Sequence, residues 1–322
     1  EILPGTTPPA TTYTKVFGET LVEMGERFPK LYAITAAMAD GTGLKAFSER
    51  FPERFIDVGI AESHAVCMAA GLACEGLKPV VAIYSTFLQR AYDQVIHDVC
   101  MQNLPVVFVL DRGGIVGEDG ETHQGVFDLS FLRCVPNLVV MAPANADEMR
   151  HMLLTALEHD GPVVLRYPRS PVEGVPFMGE IRSLPLGKGV VTREGPDYGL
   201  LAVGRMVPVA EKAWEILKGE GLTGTVANLR FVKPVDRELL RALAGRVPAL
   251  WSLEENAVIG GFGVACLEAL RDEGHAGKLR GCLGIPDRFL EHGKPALLRE
   301  ECGLEPPQVA RIVREGLEGG RK

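Results

Sequence analysis

The stretch around which this sequence is organised is Val58-Gly59-Ile60-Ala61-Glu62-Ser63-His64-Ala65-Val66. It follows an apolar segment at residues 55–58, which is typical of a buried strand, and it leads into an apolar helix. Glu62 lies at that junction, and a carboxylate is almost never fully buried without a partner. Two interpretations are open. Glu62 is either a first-turn acid favoured by the helix dipole or a carboxylate that points into a cleft for proton chemistry.

The composition limits the class of protein. The 322 residues are 46% hydrophobic and 24% charged, which is typical of a soluble globular protein with room for two domains. The net charge of -8 argues against a nucleic-acid partner, although a local arginine cluster can still bind an anion. No apolar run approaches the ~20 residues of a membrane span, and no signal peptide is visible. We expect a cytoplasmic protein without a membrane or nucleic-acid partner.

The seven cysteines are scattered and form no C-x-x-C pair. Neither a disulfide framework nor a zinc site is therefore predicted, and most of the thiols are expected to be buried in a reducing compartment. No metal site is predicted within this chain.

Segments with strand and helix character alternate along the whole chain. The clearest strand covers residues 105–111 and is apolar on both faces, as in a parallel sheet covered by helices. The alternation predicts an α/β protein with two doubly wound domains, each a mostly parallel sheet flanked by helices. We place the first domain at residues 13–170 and the second at 188–322. Stretches rich in proline and glycine predict linkers at 1–12 and 171–187.

Candidate site residues follow four predicted strand ends, the edge at which open α/β sheets bind ligands. They are Glu62, Phe87 with Arg90 (close to Tyr84), the loop 112–125 with Arg112, Asp119 and His123, and Arg169. These candidates also have plainer explanations. Phe87 could be a core residue at the start of an amphipathic helix over 87–102. The loop could likewise be a solvated segment of mixed charge. Long glycine-rich loops in compact domains are usually functional, however. The convergence of four strand ends therefore favours a site.

A second glycine cluster, Gly260-Gly261-Phe262-Gly263, follows a predicted strand at 249–254 and opens a helix. Its spacing is not that of a G-x-G-x-x-G dinucleotide fingerprint, and Glu255 and Asn256 separate it from the predicted strand. The pattern favours a tight turn with close packing over nucleotide binding.

Long segments of the chain resemble the 1-deoxy-D-xylulose-5-phosphate synthase family, thiamine-diphosphate enzymes of the transketolase superfamily. The matching stretches are residues 54–62, 84–94, 110–130, 231–234 and 260–263. Two positions depart from the family pattern. Ser63 stands where glutamine more often follows the glutamate, and Gly114 stands where alanine is more usual.

The resemblance implies a reaction and a cofactor site. The family condenses pyruvate with glyceraldehyde 3-phosphate, releases carbon dioxide and forms 1-deoxy-D-xylulose 5-phosphate, a precursor of isoprenoids, thiamine and pyridoxal. By similarity, Glu62 is hydrogen-bonded to the pyrimidine ring of thiamine diphosphate and favours the tautomer that accepts a proton. Phe87 stacks on that ring, and Ile60 and Arg90 complete the cofactor contacts.

The substrate residues also follow from the resemblance. Arg112 and Arg169 are candidates for the phosphate of the aldehyde, since guanidinium groups bind oxyanions in a bidentate manner. His123 is a candidate catalytic residue that transfers protons or orients substrate oxygens near neutral pH. Tyr84 and Asp119 are expected to complete the substrate pocket.

The resemblance covers only the later two of the family's three domains. The family binds the diphosphate and Mg²⁺ in its first domain through a G-D-G motif, which this sequence lacks. We therefore expect an N-terminal domain as partner, a homodimer, and no activity from this chain alone. Two alternatives stay open: the β-subunit of a thiamine-dependent 2-oxoacid dehydrogenase, and an inactive assembly fragment.

Overall fold

The protein is described from a computed structural model, which covers residues 11–172 and 179–319. Seven strands form the first sheet, in the order β10-β5-β6-β4-β3-β1-β2, and six of them come from the first half of the chain. These six are β1 (Leu31–Thr35), β2 (Phe55–Asp57), β3 (Lys78–Tyr84), β4 (Val107–Asp111), β5 (Val139–Met141) and β6 (Val163–Arg166). They pair in parallel throughout.

Helices cover both faces of this sheet. They are α1 (Tyr13–Arg27), α2 (Lys45–Arg50), α3 (Glu62–Cys74), α4 (Ser85–Leu88), α5 (Tyr92–Gln94), α6 (Asp128–Leu132) and α7 (Ala146–Glu158). Two separate apolar clusters, one on each face of the strands, are buried beneath them. Strands that are buried on both faces carry continuous apolar runs, as β4 does.

The second half of the chain forms a five-stranded sheet in the order β12-β11-β8-β9-β7. The strands of this half are β7 (Val190–Arg193), β8 (Gly199–Ala202), β9 (Thr225–Asn228), β10 (Phe231–Lys233), β11 (Leu250–Ala257) and β12 (Leu279–Ile285). The helices are α8 (Met206–Gly219), α9 (Arg237–Arg246), α10 (Phe262–Asp272), α11 (Pro295–Glu301) and α12 (Pro306–Gly319). Only β7 pairs antiparallel in this sheet. The two mostly parallel, helix-flanked sheets confirm the predicted fold class.

One strand of the second half belongs to the first sheet. β10 pairs antiparallel with β5, so that Phe231 lies opposite Met141. Next to this strand, Glu148 of α7 accepts hydrogen bonds from Asn228 (2.9 Å) and from Arg230 Nε (2.7 Å). Glu148 is nearly buried, and a buried carboxylate is tolerated when such donors satisfy it. Backbone pairing and this polar cluster therefore fix the two sheets to each other.

The helix predicted over residues 87–102 is not continuous. The segment begins with α4, passes through a 3₁₀ turn at Gln89–Ala91, and continues through α5 into a π-helical stretch at Val95–Cys100. At the break, the Arg90 carbonyl accepts a hydrogen bond from the Ser63 hydroxyl (2.8 Å). Such interruptions are frequent at functional sites.

The strand predicted over residues 249–254 continues to Ala257, so that Glu255 and Asn256 are strand residues and not a connection. This extension carries Glu255 to the inner side of the 112–125 loop. The helix expected to open at the 260–263 glycine cluster begins at Phe262.

Of the predicted linkers 1–12 and 171–187, residues 1–10 and 173–178 lie outside the described residues. Within the described part, Thr12 caps α1, its side chain accepting a hydrogen bond from the helix's first turn. The domain boundaries given above stay a prediction.

Candidate functional site

Glu62 is the first residue of α3 and is buried, with a side chain only 4% exposed. Its carboxylate Oε1 lies 2.6 Å from Nη1 of Arg90, whose side chain is 58% exposed. Arg90 reaches this position from the 3₁₀ turn that interrupts the helix after α4. Arg90 binds one oxygen of this carboxylate and itself reaches solvent. The second oxygen can accept a hydrogen bond from another donor. Glu62 is thus a first-turn residue of the helix, and its ion-pair partner Arg90 is half-exposed; a role in proton chemistry stays a prediction.

Three rings form a compact group next to this ion pair. Tyr84 ends β3 and stacks on Phe87, with ring centroids 5.5 Å apart and an interplanar angle of 20°. His123 meets Phe87 edge-on at 5.2 Å, and the Arg90 guanidinium lies 5.0 Å from the Phe87 ring centroid. Burial raises the pKa of the Tyr84 hydroxyl despite the nearby Arg112, so this group is protonated at neutral pH.

Arg112 directly follows β4 and is held from three sides. Its Nη1 donates to the carbonyl of Gly41 (2.6 Å) and to Asp111 Oδ1 (3.0 Å). Its guanidinium carbon lies 3.8 Å from the Tyr84 ring centroid, a cation–π contact. The second oxygen of Asp111 accepts from the Thr14 hydroxyl (2.7 Å). Burial raises the pKa of Asp111, while Arg112 and Thr14 oppose the shift.

Asp119 links the two candidate phosphate-binding arginines. Its Oδ2 lies 3.6 Å from Nε of Arg112, and its other oxygen pairs with Arg169, which follows β6. The described structure thus brings eight of the nine predicted site residues into one continuous group. These are Glu62, Tyr84, Phe87, Arg90, Arg112, Asp119, His123 and Arg169. The ninth, Ile60, is 81% exposed and is not joined to this group by these ion pairs and ring contacts.

The 112–125 loop is closed on itself and held by the second half of the chain. Gly114 and Gly125 form an isolated bridge. Gly114 has φ +92°, and a Cβ there would lie 2.2 Å from Oε2 of Glu255, so this departure from the family pattern fits its surroundings. Arg166 Nη2 donates to the carbonyls of Gly125 (3.2 Å) and Glu255 (2.7 Å).

Sequence reasoning missed the buried residues that support this loop. Asp128 accepts from Arg166 Nε (3.0 Å) and from the Ser85 hydroxyl (2.8 Å), and it is fully buried. Asp111, which holds Arg112, was likewise not predicted. The signal available for both was an acidic residue at a strand end or helix start. From the sequence alone, a buried acidic residue at such a position cannot be distinguished from a solvent-exposed acidic residue.

A cleft of about 470 Å³ opens beside the Phe87 ring and is lined from both halves of the chain. Its walls include Thr86, Phe87, Arg90, Gln124, Phe127 and Phe289. The Thr86 hydroxyl is buried there without a hydrogen-bond partner. A flat heteroaromatic ring fits these surroundings, because Phe87 offers an apolar face while Glu62 and Thr86 offer hydrogen-bonding groups next to it.

The glycine cluster at residues 260–263 packs tightly, as predicted. Glu254 Oε2 and Oε1 accept hydrogen bonds from the backbone of Phe262 (2.7 Å) and Gly263 (2.8 Å). A Cβ on Gly261 would lie 2.2 Å from Glu254 Oε2. The protein's own carboxylate therefore occupies the place at the helix N-terminus where a phosphate group would bind.

Within residues 11–172 and 179–319, no three His, Cys, Asp or Glu side chains are arranged to hold a metal ion. In the same ranges no helix is both long and apolar enough to cross a bilayer.

Family models match both halves of the chain. Residues 10–174 match the pyrimidine-binding domain of transketolase, and residues 187–309 match the transketolase C-terminal domain. The fold and these matches thus define a protein of the transketolase class. This chain belongs to the transketolase family.

Relatives narrow the assignment within that family. The chain is 55% identical over 306 residues to 1-deoxy-D-xylulose-5-phosphate synthase 1 of Geobacter sulfurreducens, and it covers 48% of that protein. It is 57% identical over 302 residues to the 1-deoxy-D-xylulose-5-phosphate synthase of Desulforudis audaxviator, again covering 48%. The chain spans about half the length of these curated relatives and matches 95% and 94% of its own residues to them.

Solved structures show the same architecture. A split-gene transketolase, described as an inactive β4 tetramer, superposes with a TM-score of 0.86 at 34% identity, covering 96% of this chain and 99% of its own. The transketolase of Campylobacter jejuni, at 20% identity and a TM-score of 0.78, shares the fold and is matched over 48% of its length.

Proposed function

We propose that this chain supplies the pyrimidine side of a thiamine-diphosphate site in a 1-deoxy-D-xylulose-5-phosphate synthase. The reaction condenses pyruvate with glyceraldehyde 3-phosphate and releases carbon dioxide. The observation that carries the proposal is the buried Glu62 carboxylate, paired with Arg90 at 2.6 Å beside the Phe87 ring and its cleft. The names of the relatives, at 55% and 57% identity, support the substrate assignment.

When bound, thiamine diphosphate supplies the nucleophilic carbon and takes up the electron pair released as carbon dioxide leaves. The residues of this chain hold the cofactor ring and exchange a proton with it. Glu62 shares a proton with a ring nitrogen, and Arg90 keeps that carboxylate oriented. Phe87 fixes the ring by its flat face, and Ile60 offers an exposed apolar side chain to the same ligand. Together they exclude water from the reacting carbon.

Substrate recognition falls to the polar end of the group. Arg112 and Arg169 bind the phosphate of the aldehyde, and both are already oriented through Asp119. The Asp119 carboxylate accepts hydrogen bonds from the substrate hydroxyl groups, and the Tyr84 hydroxyl donates to them. His123 moves a proton at the aldehyde oxygen, because a histidine changes charge near neutral pH.

The remaining components lie outside this chain. A further domain holds the diphosphate and Mg²⁺, and the working unit is a homodimer in the cytoplasm, in keeping with seven free thiols. The chain alone is then inactive.

The test is reconstitution with a diphosphate-binding domain, followed by an assay with pyruvate and glyceraldehyde 3-phosphate. We expect 1-deoxy-D-xylulose 5-phosphate and carbon dioxide in equal amounts. Transfer to a lipoyl domain instead would support the β-subunit of a 2-oxoacid dehydrogenase. Binding of the added domain without turnover of either acceptor would leave an assembly role.

A further inference from the structure

A small cleft of about 140 Å³ lies between the two halves of the chain, apart from the one beside Phe87. One wall is formed by residues 168–171, which follow β6, and the other by Arg205 and by Arg299 of α11. Three guanidinium groups from three separate elements, those of Arg169, Arg205 and Arg299, thus line one cleft.

The three arginines differ in how their charges are neutralised. Arg169 pairs with Asp119, and Arg299 lies 2.8 Å from Glu305 and 3.6 Å from Glu255. Arg205 precedes α8 and has no acidic partner in the ion pairs of the described residues. One positive charge at the cleft is therefore left without a counter-charge.

Two donors at this cleft also lack acceptors. The Nε of Arg205 and the hydroxyl of Ser170 are buried without a hydrogen-bond partner, and both residues line the cleft. A buried donor without an acceptor is costly, so a side-chain rotation that brings either donor to an anion in this cleft is favourable. The volume suits a tetrahedral anion with a few waters, at about 30 Å³ per water, and is too small for a nucleotide.

We propose that this cleft binds a phosphate group, with Arg205 and Ser170 as its main ligands and Arg169 at its border with the substrate site. Arginine suits this role because its planar donor fork matches phosphate oxygens. The phosphate has two possible sources, the aldehyde substrate itself or a separate phosphorylated effector. Phosphate binding as such does not rest on the proposed function, whereas the first of these sources does.

The first experiment is a calorimetric titration of the 322-residue chain with inorganic phosphate. We expect saturable binding at one site, weakened roughly tenfold by Arg205→Gln, as for the loss of one charge-assisted hydrogen bond. Arg205→Lys should retain part of the affinity, and Ser170→Ala should weaken it less. Arg311→Gln is the matched control, because it removes an exposed positive charge of the same half without touching the cleft. Circular dichroism establishes that each variant is folded.

The proposal is overturned if phosphate does not bind saturably, or if folded Arg205→Gln binds it as tightly as Arg311→Gln does. The second experiment identifies the source in the reconstituted enzyme. A KM that rises for glyceraldehyde 3-phosphate but not for unphosphorylated glyceraldehyde assigns the cleft to the substrate. Unchanged KM values together with lost phosphate affinity assign it to an effector. If reconstitution gives no turnover, the proposed function fails while the titration still decides the cleft.

Discussion

Each half of the molecule has a buried glutamate whose carboxylate lies at the N-terminal end of a helix, Glu62 at α3 and Glu254 at α10. Glu62 opens α3 and pairs with a half-exposed Arg90 beside the larger cleft. Glu254 lies on β11 and accepts hydrogen bonds from the first two residues of α10, Phe262 and Gly263. Glu62 thus has a side-chain partner, Arg90, that lines a cleft, whereas both oxygens of Glu254 bind backbone groups of a helix. The partner, and not burial, separates a candidate catalytic acid from a structural one.

The largest effect is expected on the Glu62 side. In the reconstituted enzyme, Glu62→Ala should lower turnover by roughly 10³-fold, the middle of the range for one proton-transfer group. The free energy of unfolding should change by no more than about 1 kcal/mol, because Arg90 stays solvated. Steady-state kinetics and urea unfolding measure the two effects. Glu75→Ala, in an exposed residue just after the same helix, is the control, and near-normal turnover of Glu62→Ala would refute the assignment.

The corresponding change on the Glu254 side should act on stability. Glu254→Ala leaves the buried backbone N–H groups of Phe262 and Gly263 without an acceptor, and we expect a loss of about 3 kcal/mol in the free energy of unfolding. Urea unfolding followed by circular dichroism measures it. The exposed Glu315→Ala should stay within about 0.5 kcal/mol of the parent. An equally small loss for Glu254→Ala would mean that α10 does not depend on this carboxylate.

The pH dependence of stability sharpens the contrast. Burial raises the pKa of Glu254 from its ordinary value of 4.5 to about 7. The folded state then binds the proton more tightly than the unfolded state, so this group's contribution falls as pH rises from 4.5 to 7. Relative to Glu254→Gln, which cannot ionise, the parent should lose about 2 kcal/mol across that window. Urea unfolding at half-unit pH steps tests this, and a constant difference between the two proteins would contradict it.

The contrast between the glutamates was only partly readable from the sequence. Glu62 could be predicted because it follows a strand end and because three other strand ends deliver polar or aromatic residues to the same edge. The role of Glu254 could not be predicted, since its partners are backbone groups eight and nine residues away that meet it only after the turn has formed. The glycine cluster between them indicated a tight turn but gave no reason for it.

The limits of prediction were similar in the fold. Apolar runs predicted the parallel strands, because a strand that is buried on both faces carries apolar residues at consecutive positions. The strand β10 was missed, because its three residues pair with a strand of the other sheet, a contact set by tertiary packing. The broken helix after β3 was predicted as continuous. At the interruption the Ser63 hydroxyl donates to the Arg90 carbonyl. Hydrophobic periodicity cannot predict this contact, because the two residues are far apart in the sequence.

The smallest predicted effect concerns the ring beside Glu62. Phe87→Ala removes the flat face at the cleft while Glu62 and Arg90 keep their ion pair, so cofactor affinity should fall by roughly tenfold and turnover at saturating cofactor should change less. Phe87→Leu keeps an apolar side chain without a planar face and should recover little of the loss if stacking is responsible. Calorimetric titration of the reconstituted protein with thiamine diphosphate and Mg²⁺ measures both variants. Full recovery by leucine would mean that Phe87 contributes only apolar area.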